Sequence, residues 1–240
     1  MTDSTVFITG ADRGLGFGIT AGLLERGWRV FAGQYLPDWP ELAGLAEQYP
    51  DALRIVPLDV ASIDSARSAA QQVAEQAGRL DVLISNAGVT TPTSNRSIRE
   101  AQDYAEMQRL FDVNTLGGLR VVEAFLPLMD KGGLKRLCFV SSEAGSIGRA
   151  YRKAWFGYTM SKAALNMAVM NLFNYLRPDG YSFRLYHPGW VRSYMGGKKN
   201  LDAHLEPEEA AAKAIPFFLD DLDDEDRLRL VDFEGQEWPW

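Results

Sequence analysis

Thr9-Gly10-Ala11-Asp12-Arg13-Gly14-Leu15-Gly16 lies between two segments of different periodicity. Before it, Val6-Phe7-Ile8 is a short continuous apolar run, the pattern of a strand buried on both faces. After it, Leu15, Ile19 and Leu23 recur every four residues and Gly27 closes the segment, the pattern of a helix. Glycines in the connection allow a tight turn and let backbone N–H groups approach a pyrophosphate, whose charge the helix N-terminus favours. Strand, glycine turn and helix in that order are the context a dinucleotide site needs.

The same alternation continues outward. Apolar runs at 30–32, 53–56, 82–84, 137–140, 183–186 and 228–231 read as strands. Helical patterns cover 62–77, about 100–129 and 158–176, and Glu206-Pro207-Glu208-Glu209 opens another with proline and acids in its first turn. The loop at 35–40 carries two prolines. This order predicts a single-domain α/β Rossmann fold over residues 1–240, a doubly wound parallel sheet of about seven strands with helices on both faces.

Composition narrows the function. A net charge of −7 argues against nucleic-acid and anionic-membrane partners. The lone Cys138 cannot form an intrachain disulfide and fits a reducing compartment. His187 and His204 are too few for a histidine-rich metal site, so no metal is expected. Met1-Thr2-Asp3-Ser4 leads straight into the first strand, without a signal peptide, and no apolar stretch approaches the ~18 residues of a membrane span. A cytoplasmic protein is expected.

Tyr158 and Lys162 stand four apart, on one helix face. Reducing a carbonyl needs a hydride on carbon and a proton on oxygen, and a nicotinamide supplies only the hydride. A phenol with a pKa near ~10 exchanges protons slowly at neutral pH unless a positive charge stabilises the phenolate.

The spacing Gly-x-x-x-Gly-x-Gly after Thr9 resembles the short-chain dehydrogenase/reductase family, and further motifs extend the resemblance in order. They are Leu58-Asp59-Val60, Asn86-Ala87-Gly88, Val113-Asn114-Thr115-Leu116-Gly117, Ser141-Ser142-Glu143-Ala144-Gly145, Tyr158-Thr159-Met160-Ser161-Lys162 and Pro188-Gly189-Trp190-Val191-Arg192-Ser193. Ser161-Lys162-Ala163-Ala164-Leu165-Asn166-Met167, His187-Pro188-Gly189-Trp190-Val191, Met195-Gly196-Gly197 and Asp232-Phe233-Glu234-Gly235 resemble the carbonyl-reductase branch that includes sniffer-type and C-factor-type proteins. Five places depart from the family pattern. Ser85 replaces a frequent asparagine, Ser193 replaces threonine, Tyr194 stands where an acid is usual, Glu143 stands where a small or apolar residue is usual, and the gap from Ser142 to Tyr158 is slightly long.

The resemblance implies an NAD(P)-dependent oxidoreductase that interconverts an alcohol and a ketone or aldehyde. Tyr158 would be its general acid/base and Lys162 the stabilising charge and ribose ligand. Ser142 would bond the substrate oxygen, and Asn114 would hold a helix kink and a relay water. The coenzyme would lie on Thr9, Gly10, Arg13, Gly14, Leu15, Gly16, Gln34, Asp59, Val60, Asn86, Ala87, Gly88, Pro188, Gly189, Val191 and Ser193, besides Tyr158 and Lys162. Gln34 supplies no acid at the end of the second strand and Arg13 supplies a cation, which favours NADP(H) slightly over NAD(H).

Glu143, Trp155, Trp190 and Tyr194 are the candidate substrate contacts. A carboxylate at 143 is expected to meet an amine or hydroxyls of the substrate, to pair with Arg152 or Lys153, or to face solvent. Leu110, Leu119, Val122, Phe125, Met167, Met170 and Phe173 are expected on outer helix faces that pair subunits into a homodimer or homotetramer. The alternative function is a non-catalytic dinucleotide-sensing or signalling protein. A sugar-nucleotide epimerase is disfavoured by length and glycine spacing.

Overall fold

The computed structural model describes residues 4–240, so residues 1–3, on which the absence of a leader was partly read, lie outside it. Strands β1 (Thr5–Ile8), β2 (Arg29–Gln34), β3 (Leu53–Pro57), β4 (Val82–Ser85), β5 (Arg136–Val140), β6 (Ser182–His187) and β7 (Leu230–Asp232) pair in parallel. An eighth, β8 (Glu237–Trp238), returns antiparallel on β7 after the turn at Gly235. The order β3-β2-β1-β4-β5-β6-β7-β8 reverses between β1 and β4. Loops diverge from the strand ends at such a point and leave a crevice for a ligand.

Helices α1 (Gly14–Glu25), α2 (Glu41–Gln48) and α7 (Pro207–Leu219) cover one face of the sheet. Helices α3 (Ile63–Ala77), α5 (Gly117–Met129) and α6 (Phe156–Leu176) cover the other. Successive β1 residues serve opposite cores: Val6 and Ile8 join the first, Phe7 the second, where its ring lies 4.3 Å from that of Phe125. Each such side chain contributes roughly 1.5–3 kcal/mol by burial. That is why the run is continuously apolar.

The single helix expected over about 100–129 is broken in two. Helix α4 (Tyr104–Phe111) starts where Asp103 caps the N–H of Glu106, and a π-helical turn (Asp112–Leu116) separates it from α5. Across the turn Arg120 pairs with Asp112 at 2.6 Å. The outer-face assignment also needs correction. Val122, Phe125 and Phe173 are buried within the subunit, packed on the sheet, Leu110 is buried against Gly157 of α6, and Leu119 and Met170 are half-buried. Of that set only Met167 is exposed; Tyr104, Leu116, Met160 and Tyr175 are the other large exposed apolar residues on these elements. Among the described residues no helix is long and apolar enough to cross a membrane.

Candidate active site

The glycine turn is built for close approach. Gly10 and Gly14 have φ of +61° and +58°, a region side chains disfavour. A Cβ on Gly16 would lie 2.2 Å from the Gly10 carbonyl oxygen. Asn86 braces the turn, its Nδ2 donating to the carbonyls of Thr9 and Gly10, while Thr9 Oγ1 accepts from the N–H groups of Asn86 and Ala87. No side chain caps α1 and its first turn has no acid. Free helix N–H groups beside a glycine turn suit a pyrophosphate.

The other coenzyme candidates line the same edge. Gln34 ends β2, and Asp59 closes the turn after β3 by accepting from Ala61 N–H. Val60 packs under Gly117, and Gly88 sits where an added Cβ would be 3.6 Å from Lys162 Nζ. Beyond β6, Pro188 precedes Gly189, whose φ is +78°, Val191 bridges to Leu205, and Ser193 lies against Gly14.

Ser142, Tyr158, Lys162 and Asn114 are all buried. Tyr158 lies in the first turn of α6 and Lys162 one turn on, its Nζ 5.9 Å from the phenol ring and donating to the Val140 carbonyl at 3.1 Å. Burial lowers Lys162 to about 8. Burial also pushes Tyr158 up to about 12, offset in part by the Ser142 hydrogen bond and the Arg152 charge and reinforced by Glu143. Two cations thus lie near the phenol, the Arg152 guanidinium, whose charge eases its ionisation, and the Lys162 ammonium, 5.9 Å from its ring.

Asn114 sits in the π turn, its Oδ1 accepting from Val89 N–H and its Nδ2 donating to the Val89 carbonyl and to Ser161 Oγ. Ser161 Oγ donates in turn to the Tyr158 carbonyl at 2.8 Å. Asn166 accepts from Ser141 Oγ and donates to the Gly145 carbonyl, tying the Ser142 loop to α6. Ser161 and Asn166 are supports that motif reading passed over, although they lie three and eight residues after Tyr158, on its helix face.

Glu143 is not solvent-facing. Its Oε2 accepts from Ser142 Oγ at 2.6 Å and from Ala144 N–H at 2.7 Å, and its Oε1 is paired with Arg152. His187 Nε2 lies 3.9 Å from Oε2. Burial raises the carboxyl, but the bonds from Ser142 and Arg152 and the charges of His187 and Arg152 outweigh it, so its pKa is lowered. Trp155 joins this group, its ring 5.7 Å from Tyr158 and its backbone N–H bonded to the Ser94 carbonyl. Two other substrate candidates lie elsewhere. Tyr194 packs edge-on against Trp39, and Trp190 is half-exposed against His204, because the 188–205 segment folds back over the glycine turn. Cys138 is buried in β5, where burial pushes its thiol up to about 12, an inert state.

Known proteins resemble the chain in sequence and in fold. The chain is 42% identical over 163 residues to the C-signal protein of Myxococcus xanthus, covering 68% of this chain and 94% of that protein. The NADPH-bound carbonyl reductase from chicken fatty liver superposes with a TM-score of 0.87 at 30% identity, covering 98% of each chain. The carbonyl reductase Sniffer of D. melanogaster does so with a TM-score of 0.87 at 25% identity, covering both chains fully. Residues 4–204 match the family described as short chain dehydrogenase. With a nucleotide-type glycine turn and a buried serine, tyrosine and lysine at the same sheet edge, the chain belongs to the short-chain dehydrogenase/reductase family of oxidoreductases.

Proposed function

We propose that the protein interconverts an alcohol and a ketone or aldehyde, with Tyr158 as general acid/base and NADP(H) as the preferred coenzyme. The supporting observation is the burial of the Tyr158 phenol beside the Ser142 hydroxyl at the C-terminal edge of the parallel sheet, one helical turn from Lys162. The uncapped start of α1, and a cradle that a Cβ on Gly16 would fill, fit a dinucleotide. When bound, the coenzyme supplies or accepts the hydride.

The chain's own residues handle the rest. A phenol pushed up to about 12 stays protonated at neutral pH and can give its proton to a carbonyl oxygen. Ser142 orients that oxygen, and Lys162 holds ribose hydroxyls. Asn114, through Ser161, fixes the first turn of α6 and with it the phenol. Thr9, Gly10, Arg13, Gly14, Leu15, Gly16 and Asn86 form the phosphate end of the groove. The outer sides of α4 and α6 join a second copy of the chain.

The test is oxidation of NADPH and NADH against ketones, aldehydes and sugars, with Tyr158→Phe as control. Turnover that the variant loses supports the reading. Coenzyme binding without turnover of any carbonyl favours a sensing role instead.

A further inference from the structure

We infer that the site selects carbonyl compounds bearing a hydrogen-bond donor, a hydroxyl or an amine, on the carbon next to the carbonyl, and that Glu143 reads that donor. The inference rests on the oxidoreductase reading above and concerns its substrate class.

Ser142 has one hydroxyl proton, and it points to Glu143 Oε2 across 2.6 Å. A substrate carbonyl oxygen can only accept, so bonding it to Ser142 requires that proton to turn away from the carboxylate. Glu143 is ionised in the neutral range and also only accepts. Its side chain is 16% exposed, Arg152 is engaged with Oε1, and Ala144 N–H already serves Oε2. His187 Nε2, at 3.9 Å, makes no hydrogen bond to it. Once Ser142 turns, Oε2 keeps only the Ala144 N–H and loses the shorter of its two bonds in a largely buried place, which is costly.

A donor on the adjacent carbon restores the balance. Such a group lies about one hydrogen-bond length from the carbonyl oxygen, the same spacing as Ser142 Oγ to Glu143 Oε2. The carbonyl takes the serine proton while its neighbour gives one to Glu143. A plain ketone leaves the carboxylate unmet, and a neighbouring carboxylate is repelled. Sites that bond a substrate hydroxyl reject the analogue lacking it by large factors.

The experiment compares kcat/KM for acetophenone and α-hydroxyacetophenone in wild type, Glu143→Ala and Glu143→Gln, with NADPH oxidation as the assay and thermal melts to confirm folding. The variants cancel the difference in intrinsic reactivity between the two ketones. Wild type should prefer the hydroxyketone by at least about tenfold more than Glu143→Ala does. Glu143→Gln, which keeps an acceptor but loses the charge, should fall between. Turnover of both ketones with the same preference in all three proteins overturns the inference alone. Failure of wild type to turn over either ketone, or any in the wider panel, overturns the oxidoreductase reading and this inference with it.

Discussion

The guanidinium of Arg13 lies 4.9 Å from the centre of the Trp39 ring, and Trp39 meets Tyr194 edge-on at 4.8 Å. The stack, with Asp12 3.7 Å from Arg13, keeps a cation beside the glycine turn and near the end of β2, where Gln34 brings no acid. Arg13→Ala should therefore lower kcat/KM with NADPH by roughly 10–100-fold, the worth of a charged hydrogen bond. The value with NADH should change little. Equal losses with both coenzymes, or none with NADPH, would assign the cation no part in coenzyme choice.

Tyr158→Phe removes only the hydroxyl of a buried ring. Turnover should fall by ~10²–10⁴-fold, with the melting temperature and the calorimetric Kd for coenzyme nearly unchanged. A variant retaining a third of the wild-type rate would rule out the phenol as proton donor.

Arg184, fully buried in β6, bonds both oxygens of Glu225 and the carbonyls of Phe183, Phe217 and Asp220. Removing the carboxylate strands a buried cation. Since Glu225 itself is a third exposed, Glu225→Ala should cost about 2–3 kcal/mol, or ~5–10 °C in Tm. Burial raises the Glu225 pKa, but Arg184 and the Leu222 N–H overcome it, so the folded value lies below 4.5. The stabilisation is then complete above the unfolded value and is lost as pH falls through the folded one. Melts over a pH series should show the gap between wild type and variant widest near neutrality and closing in acid. A gap that is constant with pH would exclude the ion pair as its cause.

A groove of about 700 Å³ runs along α4, the π turn and α6, lined by Tyr104, Met107, Phe111, Leu116 and Met160. Its apolar lining lies away from the reacting groups and suits a second copy of the chain. Light scattering at micromolar concentration should give a dimer or tetramer, and Tyr104→Glu combined with Met167→Glu should give a smaller species. A monomeric wild type would refute the pairing.

Residues constrained by backbone geometry were legible in the sequence: Gly10, Gly14 and Gly16 read directly because no side chain fits their positions. The strands were equally plain, since both faces of the sheet are covered. Helix α2 was missed because it buries only Leu42 and Leu45 and carries Gly44 inside, too short a pattern to register. Strand β8 is two residues held by a turn. The partner of Glu143 stayed open among three possibilities because a loop, not a periodic element, brings Arg152 to it. The contact of Tyr194 with Trp39 was not legible because the fold-back of its segment onto the glycine turn has no local signature.

The π turn has a consequence for tolerance to insertion and deletion. It holds one surplus residue in an otherwise continuous helical path, and each residue of an α-helix turns the chain by about 100°. Deleting any single residue of 112–116 would let α4 and α5 merge into one regular helix. One of two faces would then be rotated away: the α4 side that contacts Gly157, or the α5 side that sets Phe125 on Phe7. Asn114 would leave its bonds to Val89 and Ser161 at the same stroke. A one-residue deletion here should be far more damaging than any substitution in the turn, whereas one in the exposed 98–100 stretch, before α4 begins, should be absorbed.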